Sequence, residues 1–204
     1  INKDIVLISA DPLHPDSTLI EAPNGQGELT NGTVITITSS PIISGFTISN
    51  GEGINGGGIS ITAGNPTLSR LLIIGNTATK GGGIYLNNSD PIISNITVVE
   101  NYADNNKGAG IYFQNGSDPE ITNAIFNNSQ PNQIRPGTSS SQVNTIQLSY
   151  STFYGGNPIY LDGNYLLEAQ SNIEYSIGDP SFILPVGFDD PENEIPFSWN
   201  IISQ

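Results

Sequence analysis

The chain has no cysteine and no methionine, a single histidine, and only five basic residues, Lys3, Arg70, Lys80, Lys107 and Arg135, against 19 acidic ones. Without cysteine there is no disulfide framework, no zinc-thiolate site and no cysteine nucleophile. The net charge of −14 argues against nucleic acid and anionic membrane surfaces as partners, because displacing counterions from phosphates takes clustered Lys and Arg. No apolar run approaches the roughly 18 to 20 residues that cross a bilayer as a helix, so no direct membrane insertion is expected. A helical hydrophobic period is also missing, since glycine and proline interrupt every candidate stretch.

What the chain does have is enough apolar content for one domain. Hydrophobic residues make up 36% of its 204 positions, which fills a core if that core is thin and elongated. Charged residues are few, and dense Ile, Val, Leu and aromatic runs contradict a disordered reading of the high net charge. The chain opens at Ile1 rather than Met, so a processed or excised piece, with any export signal removed, is expected.

The organisation shows in the prolines that precede apolar runs. Pro41, Pro66, Pro91 and Pro119 are spaced by 25, 25 and 28 residues and open the blocks PIISGFTISNG, PTLSRLLIIGN, PIISNITVVEN and PEITNAIFNNS. A period in that range marks a stacked-repeat architecture. Upstream of each Pro lies a second recurrent run, VITITSSP, GISITAGNP, GIYLNNSDP and GIYFQNGSDP. In it Ile35, Ile59, Ile84 and Ile111 align, as do Ile37, Ile61, Leu86 and Phe113, giving alternate positions one face. The residues between them, Thr36, Ser60, Tyr85 and Tyr112, then Thr38, Thr62, Asn87 and Gln114, are expected to point outward.

Each repeat offers two or three short strands joined by Gly, Asn, Asp and Pro turns. So short a unit buries its apolar face only by stacking on its neighbours at roughly 4.8 Å. The reading is an all-β fold, a right-handed parallel β-helix with rungs of about 25 residues. The triplets Gly56 to Gly58 and Gly81 to Gly83, with Gly108, Ala109 and Gly110 as a variant, mark a tight corner rather than a phosphate cradle, because no helix follows them. Residues 1–32 are expected to form an N-terminal turn or cap and residues 33–165 the rungs. A loop is expected to protrude at 131–142, PNQIRPGTSSSQ. Residues 166–204, with Phe182, Phe188, Phe197 and Trp199, are expected to cap the other end.

The stretch GGGIYLNNSDPIISNITVVEN resembles the repeat of bacterial right-handed parallel β-helix proteins of the secreted, surface-associated kind. In pattern it is similar to the Gly-Gly-Xaa-Ile repeats of polymorphic outer-membrane proteins. SQPNQI, TIQLSYSTFYGG and GDPSF resemble the closing part of the same family, so the resemblance covers about residues 33–203. It implies an extracellular or cell-surface location and a place in a longer polypeptide. Such proteins commonly continue into a Ser-Pro-Cys-Ile-Asp-Ala-Gly stretch, which would begin where this chain stops, so a truncated or processed chain is expected.

Parallel β-helices include polysaccharide lyases and glycoside hydrolases, so catalysis is weighed here. A lyase needs clustered acids to hold Ca²⁺ and an Arg or Lys base, and a hydrolase needs paired carboxylates. The acids are scattered, so no catalytic residue is assigned, and His14 in DPLHPD reads as a solvated loop residue. Asp90 and Asp118, each just before an aligned Pro, have two readings: a Ca²⁺ pair on adjacent rungs, or turn-closing side chains, which are favoured. DDPENE, Asp189 to Glu194, reads as a solvated acidic turn. No other cofactor is called for.

The sharpest binding candidate is an outward face of Tyr85, Tyr112 and Tyr160 flanked by Asn87, Gln114 and Asp162. There aromatic rings and amides would meet glycans. The competing reading is aromatics packing on one another along the ladder. Sequons stand at Asn31, Asn87, Asn95, Asn115 and Asn127, which matter only in a glycosylating source. A non-catalytic extracellular structural or adhesive module, self-associating end to end or lying within a longer surface protein, is the expected function. A carbohydrate-binding or polysaccharide-cleaving domain is the alternative.

Overall fold

A computed structural model describes residues 1–22, 32–104, 107–127, 129–130, 132–137, 144–154, 157–159, 166–169 and 173–176. Among them the chain winds as a parallel β-solenoid, with strands in sheets of 12, 3 and 6 and one 3-10 turn at Pro15–Ser17. Every strand pairing is parallel, and equivalent residues recur 25 to 28 apart through the central coils, as in the hydrogen bonds Asp90 to Asn65 and Asp118 to Asp90.

Each coil has four sides. A first arm carries Ile42–Ser44, Thr67–Ser69 and the opening part of Ile92–Val99 and Glu120–Asn127. A second arm carries Thr47–Ser49, Leu72–Ile74 and the closing part of those two long strands. A short side holds Glu52–Asn55, Thr77–Lys80 and Tyr102–Ala103. The fourth side holds Ile35–Ile37, Ile59–Ile61, Ile84–Asn87, Ile111–Gln114, Asn132–Pro136 and Asn157–Ile159.

The interior follows from the alternation. Ile43, Leu68, Ile93, Ile121 and Leu148 form one inward column; Ile48, Ile73, Val98, Phe126 and Phe153 form a second; the aligned isoleucines Ile35, Ile59, Ile84, Ile111 and Ile134 form a third. Like stacks on like, and Phe126 lies flat on Phe153 with centroids 4.9 Å apart. Burying each such side chain stabilises the fold by about 1.5 to 3 kcal/mol before conformational entropy is subtracted.

Three features differ from or add to what the sequence implied. Within the segment expected to loop out, Asn132–Pro136 is a strand whose Ile134 is fully buried in the third column. Its Ser- and Pro-rich surroundings mask the three residues that carry the register. At the start, Val6–Ile8 and Leu19–Glu21 pair with the first and second arms, so residues 1–22 add a partial coil. At the far end, Leu166–Ala169 and Ile173–Ser176 extend both arms, while the proposed capping aromatics lie outside the described residues.

Candidate functional site

The fourth side brings Tyr85 and Tyr112 into register, with Ser60 before them and Arg135 after. The rings stack on each other at 6.1 Å and 5°, so each loses a face to its neighbour. Gln114 Nε2 donates to the Tyr85 hydroxyl at 3.0 Å. Residue 137 lies over the other hydroxyl, where a Cβ on Gly137 would meet Tyr112 Oη at 2.5 Å. The Lys80 ammonium sits 5.7 Å from the centre of the Tyr112 ring. Only 4 to 5% of either tyrosine is exposed.

The expected open aromatic platform is therefore corrected. The two side chains do project away from the interior, but stacking and the residue-137 segment cover them, leaving no ring face for a sugar. Burial, then the neighbouring Tyr112 phenol, raise the Tyr85 hydroxyl above its ordinary pKa of 10.0, and the Gln114 hydrogen bond works in the opposite direction. Asn87 and Gln114 stay half-buried, tied to each other and to Asn115, whose Nδ2 donates to Asn87 Oδ1 at 2.6 Å. Tyr160 and Asp162 lie outside the described residues, and Arg135 occupies the place directly beside Tyr112.

Asp90 and Asp118 do stand on adjacent coils, at the corner before the aligned prolines. There the N–H of each residue donates to the side-chain oxygen of its counterpart one coil earlier. Ser40 bonds Asp4 at 2.6 Å, Asn65 bonds Ser40 at 2.9 Å, Asp90 bonds Asn65 at 2.9 Å and Asp118 bonds Asp90 at 2.9 Å. The Asp90 carboxylate is thus engaged by a backbone donor, as a turn-closing side chain is. Among the described residues no three His, Cys, Asp or Glu gather in a way that would hold a metal ion.

A second polar column is wholly internal. Asn76 and Asn101 are buried at the corner after the second arm, each accepting from the backbone of the coil before it: Gly51 N–H donates to Asn76 Oδ1 at 2.9 Å and Asn76 N–H to Asn101 Oδ1 at 3.0 Å. Their amide groups donate to the carbonyls of Ile48 and Ile74, and of Ile73 and Val99. The asparagine closing each repeat block was the visible signal of this ladder.

The remaining column lies at the bend between the arms. Gly45, Arg70, Asn95, Asn123 and Tyr150 occupy equivalent places on successive coils, all with positive φ, at 85°, 50°, 54°, 53° and 48°. The four side chains are exposed. Pro12, Leu13 and Pro15 form, with Arg70 and Asn95, a shallow depression at one end of the column. Close by in the chain, His14 Nδ1 and Asp11 Oδ2 lie 2.8 Å apart, both well exposed.

Of the sequons, Asn95 is exposed, whereas Asn87, Asn115 and Asn127 are half-buried and the Ser89, Ser117 and Ser129 of their motifs are buried; Asn31 lies outside the described residues. No helix among the described residues is long and apolar enough to cross a membrane. A family model described as "Right handed beta helix region" matches residues 17–164. Comparisons with curated proteins and with solved structures return no match.

Proposed function

Because the chain belongs to the right-handed β-helix family, we propose that it is a non-catalytic extracellular structural and adhesive module, a rigid rod that spaces or displays surface material. The observation that carries this reading is the use of the polar side chains. Asn76, Asn101, Asp90, Ser89 and the Tyr85–Tyr112 pair are all engaged in joining one coil to the next. A catalytic β-helix needs acids and a base converging on one point, whereas these groups are distributed one per coil along columns.

The open first coil supports assembly. Val6, Ile8 and Leu19 are exposed apolar side chains on strands paired on one side only. Such an edge is covered either by further coils of a longer polypeptide or by a second copy stacked end to end. Electron microscopy of the native extracellular material, labelled with antibody to this chain, is expected to show rods or fibres at the cell surface. Label confined to the cell interior would overturn the reading.

A further inference from the structure

We propose that the bend column Arg70, Asn95, Asn123 and Tyr150 is a binding groove for an uncharged linear glycan. This deepens the adhesive part of the reading above and rests on it.

The backbone is the first observation. A bend residue at positive φ is served without strain by Gly, and nearly so by Asn, which hold the Gly45, Asn95 and Asn123 places. Arg70 and Tyr150 adopt the same conformation at 50° and 48° against its steric cost. Since three coils make the bend with Gly or Asn, the turn itself does not call for an arginine or a tyrosine.

Exposure is the second. Tyr150 is 57% exposed, and the Arg70 guanidinium makes no ion pair or side-chain hydrogen bond to a described residue, in a chain with 19 acidic residues. The third is shape. Arg70 and Asn95 line a depression whose far wall is Pro12, Leu13 and Pro15, and that wall packs on the column, since a Cβ at Gly45 would lie 2.4 Å from Pro12 Cα.

The chemistry selects the ligand. From Arg70 to Tyr150 the column advances three coils of about 4.8 Å each, the reach of a short oligosaccharide. It offers guanidinium donors, two amides that both donate and accept, and a phenol ring, the set that meets hydroxyls and an apolar sugar face. An extended peptide would need unpaired strand edges, and the strands flanking this column are paired on both sides. The net charge of −14 disfavours polyuronates and sulfated chains through long-range repulsion.

Calorimetric titration of the full chain with neutral glucan, mannan and galactan oligosaccharides, and with an oligouronate of equal length, tests the assignment. The variants are Arg70→Asn and Tyr150→Asn, each placing at the bend a residue suited to positive φ. At least one neutral series is expected to bind, each substitution to weaken it about tenfold or more, and Tm to hold or rise. No neutral binding, tighter binding of the oligouronate, or a falling Tm in both variants would overturn the groove while leaving the non-catalytic rod in place. Cleaved oligosaccharide in the titration cell, read by mass spectrometry, would instead overturn the rod.

Discussion

Asn101 is fully inside the coil, and its amide serves three partners at once: the Asn76 N–H and the carbonyls of Ile73 and Val99. Asn101→Ala leaves those groups buried without partners and is expected to cost about 2 to 4 kcal/mol, read from urea denaturation midpoints. Tyr85 gives a pH signature. Its pKa is raised in the folded chain from 10.0, chiefly by burial, so the native state holds the proton more tightly than the unfolded one. That contribution is fully present below pH 10.0 and is lost as pH rises through the higher folded value. Urea midpoints are expected to fall more steeply above about pH 10 for the native chain than for Tyr85→Phe; parallel curves would contradict the buried phenol. The sequence revealed Tyr85 and Tyr112 as one column but not their burial. Alternation tells which way a side chain leaves a strand, whereas its cover depends on the ring one coil away and on the distant residue 137.

At the level of the corner and the strand, glycines act for two separate reasons. A Cβ on Gly82 would lie 2.2 Å from the Tyr102 carbonyl oxygen and 2.8 Å from that of Ala109, so adjacent coils would have to part. Gly75 has φ +64 and open space where a Cβ would go. Gly82→Ala is therefore expected to cost about 2 to 3 kcal/mol or more and Gly75→Ala about 1 kcal/mol, ranked by thermal melts of the two variants. The corner itself was legible, because the Gly-Gly-Gly triplet repeats 25 residues apart. The strand Asn132–Pro136 was not, since a Pro at its end and serines beyond it carry the composition of a loop while Ile134 alone fixes its register. The bend column escaped for a related reason: Gly45, Arg70, Asn95, Asn123 and Tyr150 share a backbone conformation but no side-chain chemistry, so no repeated letter announces it.

For the molecule as a whole, the 25-residue proline spacing conveyed the architecture, because a stack of coils repeats in sequence what it repeats in space. The alignment of Pro41, Pro66 and Pro91 placed the first arm correctly, with Ile42, Thr67 and Ile92 in register. Activity leaves no comparable trace, since a site is built once rather than in every coil. The corner carboxylates also bear on stability: Asp90 is already engaged by the Asp118 N–H, so a chelator is expected to leave Tm unchanged, and a drop of several degrees would assign a bound cation to this corner. The central claim, that the side chains bind coil to coil rather than perform chemistry, is tested most directly by turnover. The purified chain is incubated with a panel of neutral and acidic polysaccharides, with and without Ca²⁺, while reducing ends and unsaturated-uronate absorbance are followed. The account predicts traces indistinguishable from those without protein; steady release of either product, in proportion to the amount of chain added, would contradict it.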